Sequence, residues 1–132
     1  MTSKIAQIID RERIKLGLSQ IEVLEKAGLS SKAVGRTWAR LRSNRIGISD
    51  LLSICKVVKV DLRIYNGSQI ISWITFEQIN MKFSDVMQVC KAWRFDIVAF
   101  FGEKHGEEIT AESVPESNSR VKSRKKSKLK KS

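Results

Sequence analysis

Leu18-Ser-Gln-Ile-Glu-Val-Leu-Glu-Lys-Ala-Gly28-Leu-Ser-Ser-Lys-Ala-Val-Gly-Arg-Thr-Trp38 decides the fold of the N-terminal half. Ser19 followed by Glu22 is a capping box, a pair that satisfies two orphan amides at a helix start. Ile21, Val23 and Leu24 then fall on one helical face. Lys26 lies in the last turn, and Gly28 stands where a helix closes best on a residue that tolerates positive φ. Leu29 re-enters the core and Ser30 or Ser31 caps again. Val34, Trp38 and Leu41 recur at the spacing of a buried helical stripe. The segment therefore predicts two short helices joined by a tight glycine turn, the second basic and facing solvent. Helices crossing at such a turn make a helix-turn-helix unit, whose second helix enters a DNA major groove.

Outward from this segment, the periodicity predicts a first helix through Ile5, Ile8, Ile9 and Leu16, charged on its outer face and ended by Gly17. Residues 42–47 read as a basic loop. Ser49 is expected to cap a helix through Leu51, Leu52, Ile54, Cys55 and Val58. Val60 to Tyr65 alternates with period two, Asn66-Gly67 signals a hairpin, and Gln69 to Trp73 is the expected return. A lone hairpin is marginal, so it must pack on helices or pair with another chain.

An internal repeat then appears. Trp38, Leu41, Ile46, Ile48-Ser-Asp-Leu-Leu52, Ile54-Cys-Lys56 and Val60-Asp-Leu62 recur without a gap as Trp73, Phe76, Met81, Phe83-Ser-Asp-Val-Met87, Val89-Cys-Lys91 and Phe95-Asp-Ile97, offset by 35 residues with six identities. A period of this size suits a unit that packs on its neighbour. The Ser-Gln to Lys-Ala-Gly segment has no second copy upstream of Trp73, so the chain carries one reading head and two copies of a support. A second hairpin is expected around Gly102 to Gly106.

Charge is unevenly spread. The chain of 132 residues has a net charge of +11, but eight of its 25 Lys/Arg lie in the last 13 residues, which hold no acid. Residues 103–116 contain five Glu and one Lys. Beyond about residue 112 apolar residues nearly vanish, which predicts disorder. The expected organisation is a DNA-binding domain over 1–62, a second helix/hairpin unit over 63–111 and a disordered basic tail over 112–132, in a mainly α chain.

Residues 4 to about 64 resemble the Cro/phage-repressor-type (XRE-like) helix-turn-helix family. The resemblance rests on Gly17-Leu-Ser-Gln-Ile-Glu22, Lys26-Ala-Gly-Leu-Ser30, Val34 and Leu51-Leu52 with Ile54-Cys-Lys56 and Val58. It implies a five-helix DNA-binding domain, usually a dimeric transcriptional repressor or activator. By family position, Ser31, Lys32 and Arg36 are the base-reading candidates, Arg36 pairing bidentately with guanine and Lys32 donating to it. Gln20, Arg40, Arg42, Ser43 and Arg45 are the phosphate candidates. Residues 32–45 hold five Lys/Arg and no acid, an electropositive stripe. Arg120, Lys122, Arg124, Lys125, Lys126, Lys128, Lys130 and Lys131 would add contacts indifferent to sequence.

The same reading excludes other chemistry. His105 is the sole histidine and the two cysteines lack a Cys-x-x-Cys partner, so no metal or other cofactor is expected. Cys55 and Cys90 are expected as buried thiols. Trp38, Trp73 and Trp93 are expected in the core rather than stacked on bases. No phosphate loop or acid/base constellation appears, so an enzyme is not expected. No apolar run has membrane-spanning length. The expected partners are double-stranded DNA, a second copy in a homodimer and a protein partner on residues 63–111, in the cytoplasm at the nucleoid. Two other readings stand beside the regulator. One is an accessory nucleoprotein component, in plasmid maintenance, conjugation or the nucleoid; the other is an antitoxin-like module that masks an enzyme.

Overall fold

A computed structural model describes residues 2–103 and 105–109. Their order is α1 (Lys4–Lys15), α2 (Gln20–Lys26), a 3₁₀ turn (Ser31–Ala33), α3 (Val34–Arg42), α4 (Ile48–Val57), β1 (Asp61–Asn66), β2 (Gln69–Ile71), α5 (Ile74–Gln78), α6 (Phe83–Trp93), β3 (Asp96–Phe101) and β4 (His105–Ile109). Six α-helices thus accompany one four-stranded antiparallel sheet of order β2-β1-β3-β4. This mixed α/β architecture replaces the mainly α chain expected. The reason is edge satisfaction: each hairpin alone leaves a row of unpaired amides, and the two hairpins cover one another.

The repeat explains the topology. α4 and α6 start 35 residues apart, as do β1 and β3, and the two halves are related by a pseudo-twofold axis. In the sheet, Leu62 faces Ala99 and Ile97 faces Ile64, a reciprocal pair under the offset, while Arg63 opposite Val98 marks the axis. The same symmetry recurs between the loops. Ile48 N donates to the Met81 carbonyl (2.7 Å) and Phe83 N to the Ile46 carbonyl (2.8 Å), around an antiparallel bridge between Gly47 and Lys82. The strand edge the sequence leaves available to a second chain is therefore taken within this chain, and the boundary expected at 62/63 falls inside β1.

These loop bonds also correct the helix starts. Ser49 was expected to cap α4, but the helix opens at Ile48 after Gly47, with no side-chain cap. α6 likewise opens at Phe83 after Lys82. Each helix has its first amide satisfied by a carbonyl of the other loop, so Ser49 and Ser84 sit inside the first turn and neither caps its own helix; the Ser49 hydroxyl donates instead to the Glu77 carbonyl of α5, at 3.5 Å. Asp50 and Asp85 do lie in first turns, where the helix dipole favours them.

The helix ends share one device. Leu18, Leu29, Arg45, Val60, Met81 and Phe95 each donate a backbone amide to the carbonyl five residues earlier. Each follows a residue with positive φ, namely Gly17, Gly28, Asn44, Lys59, Asn80 or Arg94. This closure satisfies orphan carbonyls and tucks an apolar residue under five of the six ends.

One continuous core runs from Ile5 to Ile109 and includes Trp38, Leu41, Ile48, Leu51, Phe83, Val86 and Ile97. Alternation along the strands sends Leu62, Ile64, Ile97 and Ala99 inward. Three apolar expectations fail. Leu16 follows α1 as its C-cap and is 40 % exposed. Ile21 lies exposed while Val23 and Leu24 fill the core, and Trp93 is 64 % exposed, set edge-on to Phe95 where α6 ends. Trp38 is buried and Trp73 half-buried, its Nε1 donating to the Leu62 carbonyl at 2.8 Å. His105 opens β4. The basic tail, Arg120 to Lys131, lies outside the described residues, as does the Glu-rich stretch beyond Ile109.

Candidate nucleic-acid interface

The head is built on α2, the 3₁₀ turn and α3. Ser19 Oγ accepts from Glu22 N at 3.1 Å and Glu22 Oε1 accepts from Ser19 N at 2.8 Å, completing the expected capping box. The same bonds hold the Glu22 carboxyl below its ordinary range. Gly28 takes φ +76° at the turn. Ser30 Oγ accepts from Lys32 N at 3.3 Å, and the chain makes one 3₁₀ turn before α3 proper begins at Val34.

α3 is fixed to α1 from behind. Trp38, 1 % exposed, donates its Nε1 to Asp10 Oδ1 at 3.2 Å. Arg13 pairs with the same oxygen at 3.0 Å and lies 5.9 Å above the Trp38 ring. At the far end Ser3 donates its Oγ to the Leu41 carbonyl (3.1 Å) and its backbone N to that of Arg42 (2.9 Å). Arg36 and Arg40 stand two residues either side of Trp38, about 200° around the helix, so burying the indole turns both outward.

Lys32, Arg36, Arg40, Arg42 and Arg45 are all exposed. Among the described residues, the ion pairs use Lys4, Arg11, Arg13, Lys15 and Arg63 instead, and none of the five takes part. Ser31 is half-exposed beside Lys32. Two phosphate candidates look different. Ser43 donates its hydroxyl to the Arg40 carbonyl at 3.2 Å, so it serves the helix end. Gln20, at the start of α2, is half-exposed.

An open groove of about 610 Å³ runs beside α3. Arg36, Arg40 and Arg45 line it from the head, and Asn80 and Lys82 from the second unit, with Asp50 the one acidic residue of its wall among the described residues. The sequence reading missed Asn80 and Lys82. Their only signal was the repeat, which aligns Lys82 with Gly47 in the basic loop. Gly47 is small where the loops meet: a methyl group there would stand 3.0 Å from Asn80 Oδ1.

Gly35 has a different status. It lies exposed in α3 with ordinary φ, and a methyl group on it would meet nothing within 4 Å. The protein itself does not require glycine there.

Cys55 and Cys90 are buried free thiols, and burial pushes Cys55 up to about 12 and Cys90 up to about 11, so neither presents a thiolate near neutrality. Among the described residues no group of His, Cys, Asp and Glu is arranged to hold a metal, and no helix is long and apolar enough to cross a membrane. Comparison with family models, with characterised proteins and with solved structures finds no match.

Proposed function

We propose that the chain is a sequence-specific DNA-binding transcriptional regulator, with α2 and α3 acting as a helix-turn-helix and α3 lying in the major groove. The observation that carries this reading is the outward placement, with no ion pair among the described residues, of Arg36 on α3, which Trp38 locks from behind, and of Lys32 on the 3₁₀ turn that leads into it. Cationic donors at the start of a helix suit guanine edges, each good pair contributing about 1–3 kcal/mol of discrimination. Arg40, Arg42 and Arg45 continue the positive stripe and suit phosphates, which position the protein without reading sequence. The tail residues Arg120 to Lys131 would steepen the salt dependence of binding.

Selection of bound sites from random duplex DNA tests this reading. Arg36→Ala is expected to relax preference at one base position, whereas a chain ending at residue 118 should weaken all sequences about equally. Identical behaviour of the two variants would sink the division of labour.

A second reading, an accessory nucleoprotein component with a protein partner, draws support from the second unit. There Ile70, Ile74 and Ile79 are 61 %, 56 % and 65 % exposed. It predicts a small specificity ratio with a steep salt slope, against 10³-fold or more for a regulator, an order of magnitude taken from known systems. A homodimer would have to use surfaces other than the β1 edge, and the outer edges of β2 and β4 are the strand edges left among the described residues.

A further inference from the structure

We propose that the second unit is a backbone clamp, in which Lys82 and Asn80 grip a DNA phosphate across the pseudo-twofold axis from the recognition helix. The inference rests on the DNA-binding reading and extends it to residues that belong to no reading head.

Three observations carry it. Lys82 and Asn80 share one groove with Arg36, Arg40 and Arg45, so among the described residues four cations from two units line an open channel against one carboxylate, Asp50. Placement is rigid, because the loops holding these residues are tied by reciprocal bonds, Ile48 N to Met81 O (2.7 Å) and Phe83 N to Ile46 O (2.8 Å). A third tie, Ser84 N to Asn44 O at 2.7 Å, lies beside them. Finally, the work Lys82 does in the fold is done by its backbone, in the bridge to Gly47 and at the N-cap of α6, while its side chain is exposed, makes no cap bond and forms no ion pair among the described residues.

A polyanion following α3 through this groove would meet Arg36 and Arg40 first and then Lys82. Asn80, whose side chain lies beside Gly47, can donate its amide to a phosphate oxygen there. The geometry also explains what became of the duplicated half. In place of a second reading head it carries five-residue α5 and this loop, so the unit contributes to affinity but not to base choice.

The test is a salt titration of full-length protein on random-sequence duplex DNA, comparing wild type with Lys82→Ala, Lys91→Ala and Arg40→Ala. Lys91 is exposed on α6 and lies outside the groove wall, so its removal matches the charge change alone. One phosphate contact corresponds to about 0.9 in log–log salt slope, or about fivefold in affinity at 0.15 M salt. Lys82→Ala is expected to lose that much with base preference intact, and Lys91→Ala to lose little. If Arg40→Ala weakens binding while Lys82→Ala behaves as Lys91→Ala, the clamp is wrong and the DNA reading stands. If wild type binds no duplex, the DNA reading fails and the clamp with it.

Discussion

Residues 38–66 and 73–101 trace the same path twice, yet only the first copy carries a head. Leu51 and Val86, Cys55 and Cys90, Leu62 and Ile97 are buried in pairs, and Lys56 and Lys91 are exposed in pairs. The halves diverge at what is attached outside. α1 and α2 stack on α3 and cover Trp38, whereas α5 is five residues long and leaves Trp73 half-buried. The helix ends and the loops after them diverge as well: Arg42 and Arg45 in one copy, Glu77 and Lys82 in the other. The repeated residues thus specify a scaffold, and surface function was free to differ once the pseudo-twofold core was set. The sharpest way to break this comparison is to truncate the paired tryptophans. Trp38→Ala should cost about 3–5 kcal/mol, as for a fully buried aromatic, and Trp73→Ala clearly less. Urea denaturation of both variants decides it, and equal losses would mean that the head adds nothing to the first copy's core.

A finer contrast lies in the serines. Ser19 makes both bonds of a capping box, while the repeated Ser49 and Ser84 sit inside helices capped by the opposite loop. Ser19→Ala should therefore cost about 1 kcal/mol, with Ser49→Ala and Ser84→Ala near neutral. Smaller still, and of opposite sign, is Gly35→Ala. Free protein should gain about 0.5–1 kcal/mol, since helix-interior glycine is costly and the site is open. If DNA approaches α3 as proposed, the same change weakens duplex binding. A gain in both stability and affinity would show that Gly35 faces no ligand.

These contrasts mark what could be read from the sequence. The capping box, the Gly28 turn, the helix through Trp38 and the outward Lys32 and Arg36 were legible because each depends on residues within one or two turns of one another. The repeat was legible too, but not its consequence. A hairpin edge reads alike whether its partner is another chain or a segment 35 residues on, so the β1–β3 pairing was invisible. Ser49 misled for the same reason: the group that caps α4 is the Met81 carbonyl, distant in sequence. Lys82 and Asn80 entered the groove only through that pairing. Trp93 was misread because spacing alone cannot tell the last exposed turn of α6 from its buried ones.

A half-exposed ion pair between the head and the second unit can be titrated. Glu107 on β4 accepts from Lys4 Nζ at 2.9 Å and lies 4.0 Å from Arg11, so the last described strand of the second unit is tied to the first helix of the head. The bond to Lys4 is the main cause that holds the Glu107 carboxyl below its ordinary range, with charge from Lys4, Arg11 and His105 acting the same way and burial opposing them. A lowered folded-state value means that the folded form binds this proton less readily than the unfolded chain. The stability it contributes is therefore present above the ordinary carboxylate range and is lost as pH falls through the depressed value. Partly exposed pairs contribute no more than about 1 kcal/mol, so Glu107→Gln should lower the melting temperature slightly at neutral pH and flatten its decline under acid. Because the substitution leaves α4, α6 and the sheet register untouched, an effect as large as that of Trp38→Ala would mean that this single tie, rather than the shared core, holds head and second unit together.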